Sequence, residues 1–227
     1  MAGKVLLITG ASSGIGAETA RHAVAAGYSV VLAARSLANL EALAHELGSE
    51  HALAVTCDVK EWADLERAVA SALERFGRLD AVFANAGFGG ARGFEASDPE
   101  TWRDMVLTNV YGAALTIRAS LPALRESRGH LLLTGSVAGR VAIEGSLYSA
   151  TKWAVTGMAE SLRKQVLGTG IRVTLVEPGM VDTPFFDQPP ADALEPADIA
   201  RAVVYALAQP EHVSINEILI RPTGQAG

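Results

Sequence analysis

Seven short apolar runs alternate with helical patterns along the whole chain, and this alternation limits the fold more than any other feature. The runs are VLLIT (Val5–Thr9), SVVLAA (Ser29–Ala34), ALAVT (Ala52–Thr56), AVFAN (81–85), HLLLT (His130–Thr134), IRVTLVE (171–177) and EILIR (217–221). Strands with almost no polar alternation are buried on both faces, which is the habit of a parallel sheet covered by helices. The patterns between them predict helices over 16–26, Leu37–Leu47, 61–76, 99–121, 148–167 and 196–208. Gly27, Gly48 and Gly77 stop the first three. Pro99 suits a first helical turn with Ser97 or Asp98 as its cap, and Pro122 is expected to kink the end of that helix. Parallel strands joined by right-handed helical crossovers make an α/β, Rossmann-type doubly wound sheet with helices on both faces. No linker, charge block, low-complexity tract or repeat divides residues 1–227, so one domain is expected.

Composition narrows the function classes. Hydrophobic residues make up 49% and charged residues 19% of the 227, enough for a substantial core. A formal charge of −6 argues against nucleic acid or an anionic membrane as partner. The apolar run 5–8 is cut off by Thr9-Gly10, and no stretch approaches the roughly 20 apolar residues that cross a bilayer. The single cysteine, Cys57, forms no internal disulfide and reads as a small buried hydrophobe at a strand end. Five scattered histidines lack ligand spacing, so no catalytic metal is expected. A cytoplasmic enzyme is the expectation.

In doubly wound sheets ligands bind beyond the carboxyl ends of the strands. After the first strand stands Thr9-Gly10-Ala11-Ser12-Ser13-Gly14-Ile15-Gly16, a glycine-rich turn that opens a helix. Such a turn lets backbone approach a diphosphate, whose charge the helix N-terminus favours. Tyr148 and Lys152 lie four apart and share one face of a helix. Alone, that pair is as well explained by an ordinary amphipathic turn.

The T-G-x-x-x-G-x-G spacing together with Tyr148-x-x-x-Lys152 resembles the short-chain dehydrogenase/reductase family. Further matches follow in the family's order, from Val5 to Thr183: Asp58, Asn85-Ala86-Gly87, Asn109, Ser136 in Gly135-Ser136-Val137-Ala138-Gly139, and Pro178-Gly179. The resemblance implies a nicotinamide dinucleotide cofactor. It would be held by Gly10, Ser12, Ser13, Gly14, Ile15 and Gly16 at the diphosphate, and by Asp58 and Val59 at the adenine. Asn85, Ala86 and Gly87 would lie by the adenine ribose, with Pro178, Gly179, Val181 and Thr183 at the nicotinamide. The chain departs from the pattern in three places. Ala84 begins the family's N-N-A-G, Ser136 and Tyr148 are one residue closer than usual, and the ending NEILIRPTGQ lacks D-G-G.

The implied catalytic set is Asn109, Ser136, Tyr148 and Lys152. Tyr148 would be the acid/base, its phenol pKa drawn down from ~10 by the Lys152 ammonium. Lys152 would also hold the nicotinamide ribose, and Ser136 would donate a hydrogen bond to the substrate oxygen. Asn109 would hold a water behind Lys152, or satisfy helix backbone, or both. Where NAD-preferring members carry an acidic residue at the end of the second strand, this chain has Ala34, followed by Arg35 and Ser36. A guanidinium fits a 2′-phosphate, so NADP(H) is the expected cofactor.

The expected reaction is hydride transfer between a carbonyl compound and a secondary alcohol. The alternatives are reduction of C=C or imine by the same fold, and a nucleotide-sensing regulator without turnover. Residues 180–195, with Pro184, Pro189 and Pro190, form a short substrate lid that suggests an open cleft. Candidate walls are Phe88, Val137, Ile143, Met180, Phe185 and Phe186, which hint at a medium-sized, partly apolar substrate. The resemblance also implies a homodimer or homotetramer built on the helices of Asn109 and Tyr148. Trp153, Val155, Met158 and Leu162 give the second helix apolar surface.

Overall fold

The computed structural model describes residues 3–186, 188 and 190–225; the lid positions Asp187 and Pro189 fall outside it. The strands are β1 (Val5–Thr9), β2 (Ser29–Ala34), β3 (Ala52–Thr56), β4 (Ala81–Ala84), β5 (His130–Thr134), β6 (Arg172–Pro178) and β7 (Glu217–Ile220). They form a single sheet in the order β3-β2-β1-β4-β5-β6-β7, and every pairing is parallel. Order reverses between β1 and β4, which opens a crevice at the carboxyl ends of those two strands.

The apolar runs divide their side chains between two cores. On β1, Val5 and Leu7 join one cluster while Leu6 and Ile8 join the other. The first core is covered by α3 (Trp62–Phe76), α5 (Ala113–Ser127) and α6 (Leu147–Gln165), the second by α1 (Gly14–Ala25), α2 (Leu37–Leu47) and α7 (Pro196–Leu207). Burial on both sides explains the continuous apolar runs of β1, β2, β4, β5 and β6, while the edge strands β3 and β7 are only partly buried. Cys57 is 2% exposed in the first core, and burial pushes its thiol up to about 12.

The helical segment after β4 differs from expectation. It comprises α4 (Pro99–Val106), a π-helical stretch (Leu107–Gly112) and α5. Asp98, not Ser97, is the cap: its carboxylate accepts from the Thr101 amide at 3.0 Å. Pro122 does not end the helix, which runs on to Ser127. A proline here removes one amide donor and crowds the carbonyl four residues back. That carbonyl belongs to Arg118, an exposed residue, so water can take the place of the missing bond.

Candidate active site

The first strand ends in Thr9, and the turn after it requires glycine. Gly10 has φ +67°, and a Cβ there would lie 2.9 Å from the Ala86 Cα. Gly14 has φ +52° and opens α1 beside Thr183. Ser13 caps α1 by position, but its hydroxyl makes no capping hydrogen bond, and the residue is exposed. The first amides of α1 have no partner within the helix, and its positive end faces the turn. A backbone cradle narrowed to glycine and backed by free amides fits a dinucleotide diphosphate.

The turn after β4 is tied to both flanking strands. Asn85 Nδ2 donates to the Thr9 carbonyl at 3.1 Å, and Asn85 Oδ1 accepts from the Thr134 hydroxyl at 3.2 Å. Thr9 Oγ1 accepts from the amides of Asn85 and Ala86 at 3.0 and 3.2 Å. Asn85 therefore locks the ends of β1, β4 and β5 together, while Ala86 and Gly87 continue along the crevice.

Asn109 is presented by the π-helical stretch and is 2% exposed. Its Oδ1 accepts from the Phe88 amide at 3.0 Å, and its Nδ2 donates to the Phe88 carbonyl at 2.9 Å. Nδ2 also reaches Thr151 Oγ1 at 3.1 Å. The side chain satisfies backbone, but that of the loop after β4 and not of its own helix. Lys152, 4% exposed, donates from Nζ to the Thr134 carbonyl at 2.7 Å. A Cβ on Gly87 would fall 3.1 Å from Asn109 Oδ1 and 3.7 Å from Lys152 Nζ. The two side chains meet the same small residue.

Ser136 follows β5, and its hydroxyl has two contacts. It accepts from the Ala138 amide at 3.1 Å and donates to the Pro178 carbonyl at 3.4 Å. Tyr148 lies on the first turn of α6, with Lys152 Nζ 5.6 Å from its ring centre. Across the shortened Ser136–Tyr148 connection the serine still lies near enough to the phenol to favour its ionised form. The titration expectation fails in sign. Burial pushes the Tyr148 phenol up to about 12, with the Ser136 contact pulling the other way. Burial also pulls the Lys152 ammonium down to about 8. Both charged forms lose water, and that desolvation is the largest cause of each shift.

Arg35 and Ser36 are exposed at the start of α2, and Ser36 makes no side-chain capping bond. Ser12 and Asn39 line one groove between α1 and α2. Asp58 is committed to its own turn, its Oδ1 accepting from the Lys60 amide at 3.0 Å. The side chains of Val59 and Val181 are buried in the core, so only their backbone can serve a ligand. Ile15 packs against the second core, and Gly16 lies so close to the Gly10 carbonyl that a Cβ would fall 2.3 Å from it. Pro178 and Gly179 are pinned from β7 and the C-terminal segment: Ile220 O accepts from the Gly179 amide and Gln225 Oε1 from the Met180 amide.

The segment after β6 does not stand away from the cleft. Phe185 packs edge-on to Tyr148 with ring centres 5.3 Å apart, and Phe186 packs on Phe185 at 5.0 Å. A Cβ on Gly89 would fall 2.5 Å from the Phe185 ring. An expected open cleft is thus roofed by an aromatic at its catalytic end. Sequence reasoning missed Thr9, Thr134 and Thr151 as supports of the site. Thr9 and Thr134 are the last residues of β1 and β5, and that position was the available signal.

Comparison with known proteins agrees with this geometry. A family model described as short chain dehydrogenase matches residues 4–193. An uncharacterized oxidoreductase of Staphylococcus haemolyticus is 40% identical over 227 residues, covering 97% of each chain. An alcohol dehydrogenase from the archaeon Thermococcus sibiricus, solved with 5-hydroxy-NADP, is 33% identical with a TM-score of 0.92, over 99% of this chain and 98% of that one. A 3-ketoacyl-(acyl-carrier-protein) reductase from Brucella melitensis, solved with NADH, is 30% identical with a TM-score of 0.90, over 97% and 98%. The family match runs from the residue before β1, through the glycine-rich turn, Asn109, Ser136, Tyr148 and Lys152, into the lid. By that span and by its relatives, this chain belongs to the short-chain dehydrogenase family of oxidoreductases.

Proposed function

We propose that the chain is an NADP(H)-dependent oxidoreductase that interconverts a carbonyl compound and a secondary alcohol. The observation that carries this reading is that a buried Lys152 stands beside the Tyr148 ring and on the last carbonyl of β5, two residues before Ser136, at the end of the sheet where the glycine-rich turn lies. A bound nicotinamide dinucleotide would supply or accept the hydride.

The chain's own residues handle the oxygen and its proton. Tyr148 gives its phenolic proton to the substrate oxygen in reduction and takes it back in oxidation. With its pKa pushed to about 12, the phenol is protonated at neutral pH and ready as an acid. Ser136 donates to the same oxygen as charge develops. Lys152 stands between the Thr134 carbonyl and the Tyr148 ring, and on this reading it holds the ribose and restocks the proton. Asn109 fixes the Phe88 backbone and, through Thr151, the helix of Tyr148 and Lys152. Phe185 over Tyr148 favours a substrate with apolar substituents beside its carbonyl.

NADP(H) is preferred on this reading because Arg35 and Ser36 are exposed at a helix N-terminus and no acidic side chain ends β2. The chain also works as a homodimer or homotetramer, with exposed Trp153 and Tyr111 on neighbouring helical segments as surface to be covered. A monomer by light scattering would remove that part. The main test follows NADPH oxidation against a panel of ketones and aldehydes. Turnover of at least one apolar ketone is expected, and Tyr148→Phe should lower kcat by about 100-fold or more. Undiminished turnover in that variant would sink the assigned role.

A further inference from the structure

Arg140 belongs to none of the motifs above, yet it holds two carboxylates. Its Nε donates to Glu177 Oε1 at 2.6 Å and its Nη2 to Glu177 Oε2 at 2.7 Å, a two-pronged pair. Nη2 also meets Glu217 Oε2 at 2.5 Å. Glu177 is 1% exposed, and a charge so far from water is tolerated only when well paired. Glu177 directly precedes Pro178 at the end of β6, and Glu217 begins β7. Arg140 follows the short 3₁₀ turn Val137–Gly139 that Ser136 caps.

That turn is fastened on two sides. Toward α6, Ser149 Oγ donates to the Ala138 carbonyl at 2.6 Å, one residue beyond Tyr148. A Cβ on Gly139 would fall 2.8 Å from the Lys152 carbonyl, so the turn lies directly on that helix. Toward β6, the Gly135 amide donates to the Val176 carbonyl at 2.7 Å, which holds the chain just before the turn, while the Ser136 hydroxyl offers a long bond to Pro178 O at 3.4 Å. Beyond Ser136, the fastening of the turn to β6 is the Arg140 fork. The Glu177 side chain passes beneath Gly135, where a Cβ would lie 2.9 Å from Glu177 Cγ. Strand end, serine turn and helix are thereby held in one frame.

We propose that Arg140 is a positioning residue: its fork on Glu177 sets the Ser136 turn against the Pro178–Gly179 turn, so that the Ser136 hydroxyl meets the substrate oxygen. The proposal rests on the reading of Ser136 as donor to that oxygen. A merely structural pair could be exchanged for uncharged side chains with little effect on chemistry. A positioning pair could not.

The experiment is a mutant cycle on the intact chain, using NADPH and the ketone that the panel shows to turn over best. Arg140→Met with Glu177→Gln removes both charges and leaves no buried carboxylate unpaired. This pair of substitutions should lower kcat by about 10-fold or more while KM changes less than about 3-fold. Arg140→Lys keeps the charge without the fork, needs no other change to fold, and should recover only part of kcat. In a Ser136→Ala background the paired substitution should add less than about 2-fold, because its effect runs through Ser136. An equal loss with and without Ser136 overturns the proposal, as does unchanged kcat in the paired variant or full rescue by lysine. Should Ser136→Ala alone leave turnover intact, the reading of Ser136 fails first and the proposal falls with it, a result distinct from additivity.

Discussion

The chemistry of this chain turns on side chains whose neighbours, more than their identity, set their behaviour. Lys152 beside Tyr148 reads from sequence as a cation that acidifies a phenol, yet Lys152 is buried, Tyr148 is half-buried, and each shifts toward its neutral form. Periodicity places the pair on one helix face but does not report the water it loses. Arg35 is the opposite case: it is exposed to water beyond the end of β2, and on the proposed reading it meets the 2′-phosphate. Arg35→Ala should lower kcat/KM with NADPH by about 10- to 100-fold, the loss of one or two charged hydrogen bonds. With NADH the change should stay below about 3-fold. Steady-state kinetics with both cofactors checks this, and an equal loss on both would mean that Arg35 serves no 2′-phosphate. Both residues were legible because each sits at a strand end or a fixed helical spacing. Thr9 and Thr134 also end strands, a signal that went unused, and the bonds through which they act join residues distant in sequence, which no local pattern reports.

At the scale of elements, the central strands were legible nearly to the residue because burial on both faces leaves a continuous apolar run, and the edge strands β3 and β7 kept the same apolar pattern although half exposed. The segment 99–127 was not. Its π-helical stretch arises where Asn109 must turn toward the loop after β4, a tertiary demand that no local propensity records. The helix then passes through Pro122 because the buried side chains of α5, among them Leu115 and Leu124 in the first core, outweigh one absent amide bond. Asn109 acts here almost as a strand would, pairing both polar groups of Phe88. Asn109→Leu would leave that amide and carbonyl without partners in a half-buried loop. The free energy of unfolding should fall by about 2–4 kcal/mol, read from urea denaturation. A loss under about 1 kcal/mol would show that water replaces the side chain, and that its role is confined to chemistry.

For the molecule as a whole, catalytic groups and stability pull against each other, and Lys152 gives the measure. Its ammonium is buried at the carboxyl end of the sheet, with a folded-state pKa of about 8 against 10.5 for a solvated lysine side chain. Below about pH 8 both folded and unfolded chains hold the proton, and the folded state bears the full desolvation cost, about 3 kcal/mol. As pH rises from about 8 to 10.5 the unfolded chain binds more protons, so this residue's contribution to stability grows. Above that window the cost is gone. Lys152→Met removes the buried charge and keeps the chain length, at the expense of the bond to the Thr134 carbonyl, about 1–2 kcal/mol. The variant should therefore unfold a few degrees higher than the parent at pH 7, while carbonyl reduction drops by about 100-fold or more. That gain should shrink and then reverse as pH approaches about 10, where the parent's lysine has lost its charge but keeps its hydrogen bond. Tyr148 is common to both chains, so its opposite contribution, present below about pH 10 and lost as pH rises through 12, cancels in the comparison. Calorimetry across pH on the two proteins checks the sign directly. A variant less stable than its parent at pH 7 would mean that the ammonium is held by its surroundings more strongly than burial penalises it.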